Sequence, residues 1–291
     1  MKLEYIVNEL TEYETIKQVL KEEFLISDRL IIKLKHAKHI YLNDKSTFIN
    51  QKVKINDKII VDLDFEETCD NIVPTKMELD ILYEDDGLLI IKKPPFLPVH
   101  PSMDHYSDSL SNGVKYYFDS IGLKRKIRPI NRLDKNTSGI VIFAKNEYIQ
   151  ECLVKQMKSN IFEKEYIAIV EGIIDKKEQT INAPIARKEN SIIERCVNSN
   201  GDNAITIIKL IKAYNDYSLI KCILKTGRTH QIRVHTSYIC HPIVGDDLYG
   251  KKSDKINRQA LHASKIKFIH PITKKEIEIE AKIPKDIENL L

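Results

Sequence analysis

The sequence predicts an α+β protein, rich in sheet, in which a small α+β unit precedes a larger one. Strand-like runs recur from about residue 79: "ILYEDDGLLIIKKP", "SGIVIFAK", "KEYIAIVEG", "NAITIIKLIKAY", "SLIKCILKT" and "KEIEIEAKI". The first 65 residues instead read as two short helices followed by short β-type runs. Between the two regions, "EETCDNIVPTKME" has no periodicity and contains a proline, so the break falls there. The expected division is a small unit over 1–70, with its pattern starting near residue 14, a linker over 71–78 and a large unit over 79–291.

Along the small unit, Ile16, Val19 and Leu20 mark one helix face. Ser27 is placed to cap a second helix carrying Leu30, Ile31 and Leu34. The segment "IYLNDKSTFINQKVKINDKIIVDL" then alternates β-type runs with the turn pairs Asn43-Asp44 and Asn56-Asp57, which predicts a small curled sheet. Lys33, Lys35, His36, Lys38 and His39 cluster at the end of the second helix. They either meet phosphates or form a solvated face.

Composition sets bounds on what the chain can be. With 291 residues, 42% hydrophobic and 30% charged, it can bury a full core, and it has no run of about 18 apolar residues. The start, "MKLEYIVNELTEYE", lacks the basic end and apolar core of a signal peptide, so a cytoplasmic protein away from membranes is expected. Five cysteines without a CxxC pair fit a reducing compartment and give no zinc spacing. Because 46 basic residues face 42 acidic ones, affinity for nucleic acid has to come from local patches.

Three stretches carry more polar chemistry than folding needs. The first, "KKPPFLPVHP", has four prolines and a histidine after a strand, which makes it a rigid loop. It is a wall for a site or a plain structural turn. The second, "RPINRLDKNTSGIVIFAKN", sets Asp134 between Arg132 and Lys135 ahead of a polar turn and an apolar strand. A carboxylate beside fixed cations has a lowered pKa, as a nucleophile or general base needs. Read alone, however, "RLD" more readily denotes a turn cap or a structural ion pair.

The third stretch, "LKTGRTHQIRVHTSYICHPIVGDDLYG", runs from a strand through a glycine turn into a helix expected to be capped by Thr229. His230 and His235 lie five apart, about 140° apart on a helix, so they do not converge on a metal. With no HExxH, no CxxC and no clustered carboxylates, no metal site is expected. Arg228 and Arg233 are better candidates, since guanidinium groups hold carboxylates or phosphates in fixed geometry. Tyr166, in "EKEYIAIVEG", is either core with a satisfied hydroxyl or a stacking partner for a base. The chain has no GxxxxGK[ST] loop, no GxGxxG after its first strand and no GxSxG elbow, which argues against a nucleotide cofactor.

Taken in this order, "KPPFLPVHP", "NRLDKNTSG", "TGRTHQIRVH" with "HPIVGDDLYG", and the closing "QALHASKIKFIHPITKKE" resemble the RluA-type pseudouridine synthases over 79–291. The small unit resembles, more loosely, the αL RNA-binding domain of ribosomal small-subunit protein four. The resemblance implies a mixed, mainly antiparallel sheet flanked by helices and loops. It also implies isomerisation of a uridine in structured RNA, expected to be ribosomal, by a monomer using no cofactor or metal. The alternatives are a transfer-RNA target and, less favoured, a non-catalytic RNA-binding ribosome-assembly protein, against which the matching Asp134, Tyr166 and Arg233 speak.

On this resemblance Asp134 matches the essential aspartate, as nucleophile or as base at the sugar. Arg233 matches its arginine partner, and Tyr166 the aromatic that stacks on the target base and assists proton removal at C5. Arg132, Arg228, His230 and Thr137 are given RNA-contacting or supporting roles, and Lys33, Lys35 and Lys38 phosphate contacts. Two departures stand out: Asn131 replaces the family's histidine, and Phe96 its early-loop glycine. Asparagine can hydrogen-bond but cannot titrate near neutrality.

Overall fold

The computed structural model describes residues 1–10 and 12–291. The small unit comprises β1 (Lys2–Ile6), α1 (Ile16–Gln18) running on into a π-helical turn, α2 (Asp28–Ala37), β2 (Ile40–Leu42), β3 (Lys45–Ser46) and β4 (Lys58–Asp62). Its four strands form an antiparallel sheet in the order β1-β4-β2-β3. The Ser27 hydroxyl accepts the Leu30 N–H, as the sequence predicts, and Asn43, Asp44 and Asn56 adopt the positive φ that tight turns require. Strand β1 lies outside the start expected near residue 14. It is an edge strand with only Leu3 buried, so little of a buried face marks it in the sequence.

The large unit continues with β5 (Ile81–Glu84), β6 (Leu88–Lys93), α3 (Leu110–Ser120), β7 (Ser138–Ala144), α4 (Glu147–Lys158), β8 (Glu163–Glu171), β9 (Glu178–Asn182), β10 (Ile185–Arg187) and β11 (Arg195–Val197). It closes with β12 (Ile205–Ala213), β13 (Tyr217–Leu224), α5 (Gln231–Tyr238), β14 (Leu261–Ile269), β15 (Glu276–Glu280) and α6 (Lys285–Glu288). One sheet runs β5-β6-β7-β14-β8-β13-β12-β9, with β15 also on β14. Its pairs are antiparallel except β7 with β14. β10 and β11 form a separate two-stranded ribbon.

Side chains alternate across a strand, so this sheet has two apolar faces. Leu89, Ile91, Val141 and Phe143 point to a core shared with α3. Leu88, Ile90, Ile140 and Ile142 point to the other, with Ile149 and Leu153 of α4. That second cluster also contains Leu3, Leu20, Ile31, Leu34 and Val61, so the small unit is packed into it. Polar contacts reinforce the junction: Ser27 Oγ donates to Glu151 Oε1 at 2.6 Å, Lys155 Nζ to the Leu25 carbonyl at 2.6 Å, and Lys33 pairs with Glu147. Lys33 is therefore spent on the junction and is withdrawn from the expected phosphate contacts. His39 is half-buried against Phe65, while Lys35, His36 and Lys38 stay exposed.

Residues 63–80 form neither helix nor strand. The stretch is nonetheless held down, because Cys69 and Ile72 are buried in the large core and the Asn112 amide donates to the Val73 carbonyl. Among the described residues no helix is long and apolar enough to cross a membrane, and the five cysteines are free thiols.

The single parallel register, His262 opposite Ser138 and Ala263 opposite Gly139, fixes where β7 begins. Gly139 has φ +120°, and a Cβ there would lie 2.2 Å from the Ala263 carbonyl oxygen, so only glycine fits. His262 is fully buried with Nδ1 2.9 Å from Ser138 Oγ, and burial lowers its pKa from 6.5 to about 4. The unfolded chain then binds the extra proton first, so stability is complete above about 6.5 and is lost as pH falls toward 4. This loss should reach the order of 3 kcal/mol. Urea unfolding between these pH values should show it, and His262→Gln should flatten the slope. An equal slope in the variant would assign the effect elsewhere.

Candidate active site

Asp134 sits in the loop that enters β7, where the Thr137 N–H donates to the Asp134 carbonyl at 3.0 Å and closes a turn. This loop is fixed from several sides. Lys93 is fully buried, and its Nζ donates to the carbonyls of Pro94, Leu97 and Lys135 at 2.8, 2.8 and 3.0 Å. Burial pulls the Lys93 pKa down to about 7, against the three acceptors that match the N–H groups of an ammonium. Arg258 Nη1 reaches the Asn136 carbonyl at 3.1 Å, and Gln259 donates to Thr137 Oγ1 at 3.0 Å. Asn131 donates to the Ile140 carbonyl at 2.9 Å and accepts the Ile142 N–H at 3.0 Å. Its amide copies a backbone pairing, so the family's histidine is replaced here by a clamp.

The partners of Asp134 come from α5. The Gln231 side chain fixes the start of this helix, accepting from Arg228 N and Thr226 Oγ1 and donating to the Ile205 carbonyl. The helix begins at Gln231 with His230 as its cap at φ 58°, one residue after the expected Thr229, because that glutamine captures the turn. Arg233 Nη1 donates to Asp134 Oδ2 at 3.1 Å. The same guanidinium grips Asp246 with Nε and Nη2 at 2.7 and 2.8 Å. Asp246 is fully buried and also accepts the N–H groups of Leu248 and Tyr249. Burial opposes the charge on Arg233, but the two carboxylates outweigh it and hold its pKa above the ordinary value.

Tyr249 ties these groups together. Its ring lies 5.0 Å under the Arg233 guanidinium, and its hydroxyl accepts the Arg195 N–H at 2.8 Å. His230 Nδ1 lies 2.8 Å from the same hydroxyl, and its Nε2 lies 3.8 Å from Asp134 Oδ1. Burial lowers the His230 pKa, with the charge of Asp134 opposing, so the neutral ring is favoured.

Asp134 is the one carboxylate among the residues lining a cavity of about 950 Å³. The remaining charged groups of its wall are Arg132, Lys158, Lys164, Arg195, Lys225 and Arg228. Tyr166 on β8 lines the same cavity, and burial, reinforced by Asp134, raises the phenol pKa. The predicted Asp134, Arg233, Tyr166, Arg132, Arg228, His230 and Thr137 thus gather at one place, with Arg233 and Thr137 lining a smaller adjoining recess. Lys35 and Lys38 lie on the small unit away from it. Tyr249 and Lys93 escaped the sequence reading, whereas Asp246, in "GDDLYG", reads from the sequence as structural and here holds Arg233 and the turn that follows it. Among the described residues no group of His, Cys, Asp or Glu is arranged to hold a metal. Phe96 has φ +63°, the conformation that suits the family's glycine, and half its surface is exposed beside the loop.

This arrangement presents one oriented carboxylate and one aromatic face inside a cationic cleft, which suits chemistry on a single base of a polyanion. Residues 87–238 match the family model described as RNA pseudouridylate synthase. The chain is 38% identical over 99% of its length, and 96% of the relative's, to a Bacillus subtilis (strain 168) protein named uncharacterized RNA pseudouridine synthase YhcT. It is 31% identical to ribosomal large subunit pseudouridine synthase D of Blochmanniella floridana, over 100% of this chain and 93% of that one. Among solved structures, human RNA pseudouridylate synthase domain containing 1 is similar with a TM-score of 0.58 and 26% identity, covering 70% of this chain and 83% of that one.

Proposed function

The chain belongs to the RNA pseudouridylate synthase family, and on that premise we propose that it isomerises uridines of ribosomal RNA with Asp134 as its essential carboxylate. The observation that carries the role of Asp134 is its setting, a lone carboxylate paired with Arg233 in a cation-lined cavity beside the Tyr166 ring. The bond from uracil N1 to ribose C1′ breaks, the detached base turns within the cavity, and C5 joins C1′. C5 loses a proton and N1 gains one, so the reaction balances without a redox partner. No cofactor or metal takes part in this scheme.

Asp134 acts as nucleophile or as base at the sugar, and both roles use the ionised carboxylate that the loop delivers. Arg233 orients it, and His230 faces it through Nε2. Tyr166 serves through its ring, stacking on the target base, since burial opposes a phenolate. Its part in removing the C5 proton then needs the phenol to work through a second acceptor. Arg132, exposed at the rim, is suited to hold the RNA backbone while the base is extruded, and Arg228 to hold a neighbouring phosphate. Thr137 shapes the turn. The small unit, over 1–70, is proposed as an RNA-binding domain using Lys35 and Lys38, joined through 71–78 to the catalytic domain over 79–291. The protein is proposed to work as a cytoplasmic monomer.

The ribosomal assignment draws on the printed names of relatives such as the Blochmanniella floridana enzyme. Mapping pseudouridines at nucleotide resolution in total RNA from cells with and without the protein tests it. One or a few ribosomal uridines should lose the modification. Loss confined to transfer RNA would overturn the ribosomal target, and an unchanged map would overturn the assignment as a whole.

A further inference from the structure

The β10–β11 ribbon carries a charge pattern that its own folding does not reward. Arg187 and Arg195 are directly opposite each other in the antiparallel register, so both side chains project to one face. Like charges in that relation destabilise a ribbon. Neither guanidinium is ion-paired: among the described residues, Glu194 pairs with Lys188, and Asp202 lies 3.5 Å from Arg228. Arg187, Arg195 and Arg228 line one recess of about 380 Å³, in which Asp202 is the single carboxylate against three guanidinium groups. An anion between them would turn the repulsion into attraction.

The position of the recess indicates the kind of anion. It shares Arg195, Gly227, Arg228 and Thr229 with the wall of the cavity that holds Asp134, so the two spaces adjoin. A ligand that fills both is a polymer with regularly spaced negative charge, not a free phosphate or a mononucleotide. The ribbon is also anchored to the site, because Ile185 and Val197 pack with Val234 of α5 and Tyr249, and the Arg195 N–H donates to the Tyr249 hydroxyl.

We infer that Arg187, Arg195 and Arg228 form a second RNA subsite that holds a phosphodiester of the single-stranded segment flanking the target uridine. The ribbon thereby takes part in substrate recognition. The inference rests on the RNA-isomerase reading and adds to it a place for the neighbouring nucleotide. Arg195, common to both spaces, is the residue through which the strand passes from one to the other.

The test compares the whole protein with its Arg187→Gln/Arg195→Gln and Arg187→Lys/Arg195→Lys variants. Binding of a fluorescein-labelled oligouridine is measured across a salt series, and kcat and KM are measured on total RNA from cells lacking the protein. The glutamine variant should bind with a salt slope shallower by about 0.7 for each phosphate released, and its KM should rise about fivefold with kcat within about twofold. The lysine variant, which keeps the charge, should recover most of the slope. An unchanged slope in the glutamine variant overturns the subsite, and so does a loss that lysine fails to restore. If wild-type protein isomerises no uridine while the slope responds as expected, the three arginines stand as an RNA phosphate contact, and the isomerase reading falls together with the place beside a target uridine. If it isomerises uridine and the slope does not respond, the subsite alone falls.

Discussion

Asp134→Asn is expected to reduce pseudouridine formation by at least about 10⁴-fold, the scale on which removing a reacting group acts. The fold should survive. Asparagine is isosteric, its carbonyl can still accept from Arg233 Nη1, and Arg233 keeps its two bonds to Asp246. RNA affinity should stay within about threefold or tighten, because the substitution removes the one negative charge from a wall of cations that attract phosphate. Single-turnover assays with enzyme in excess, beside binding measured on the same RNA, separate the two effects. Activity that persists would remove Asp134 from the centre of the mechanism.

The second large effect is expected at a residue that touches no substrate. Asp246→Ala leaves the Arg233 guanidinium buried with Asp134 as its one remaining carboxylate. It also strips the N–H groups of Leu248 and Tyr249 of their acceptor. Removing one partner of a buried pair costs about 3–5 kcal/mol, so the variant should unfold at clearly lower denaturant. Activity should fall at least about 100-fold, because Arg233 is then free to re-pair with Asp134 in a different geometry. Arg233→Met in the same background tests this account. It removes the orphaned charge, so part of the stability should return, short of the share lost with the Leu248 and Tyr249 bonds, while activity does not. A double variant as unstable as the single one would show that the cost has another source.

The parts of the fold that were legible in the sequence are those decided locally. β7 is buried on both faces and reads as an unbroken apolar run. Ser27 caps α2 with its own hydroxyl, and Asn43, Asp44 and Asn56 take the backbone angles that their short polar side chains tolerate. What was hidden depends on partners far along the chain. β1 is recognised only by β4, more than fifty residues later, and its exposed face hides the pattern. Lys33 reads as a phosphate ligand until Glu147 is brought to it.

The candidate site divides in the same way. Asp134, Arg233 and Tyr166 stood out because three distant stretches matched one family in order, although "RLD" by itself favoured a turn. Asp246 looked like one more turn residue in "GDDLYG", since its complete burial is set by Arg233, thirteen positions earlier. Lys93, in "KKPPFLPVHP", carries no local mark of burial in the sequence. Its burial follows from the carbonyls of two loops that converge only in the folded chain.

The apolar cluster shared by the small sheet and the back of the large one also governs how the molecule comes apart. Two units joined by a free tether would melt separately, and the smaller would fray first. Here, unfolding either unit uncovers Leu88, Ile140 and Ile142 along with Leu20 and Leu34, so each makes the loss of the other easier. Shear between the two is resisted by interdigitated side chains. The reach from α2 to the catalytic cleft is therefore a fixed length, and heat or denaturant is expected to remove it by melting the two units together.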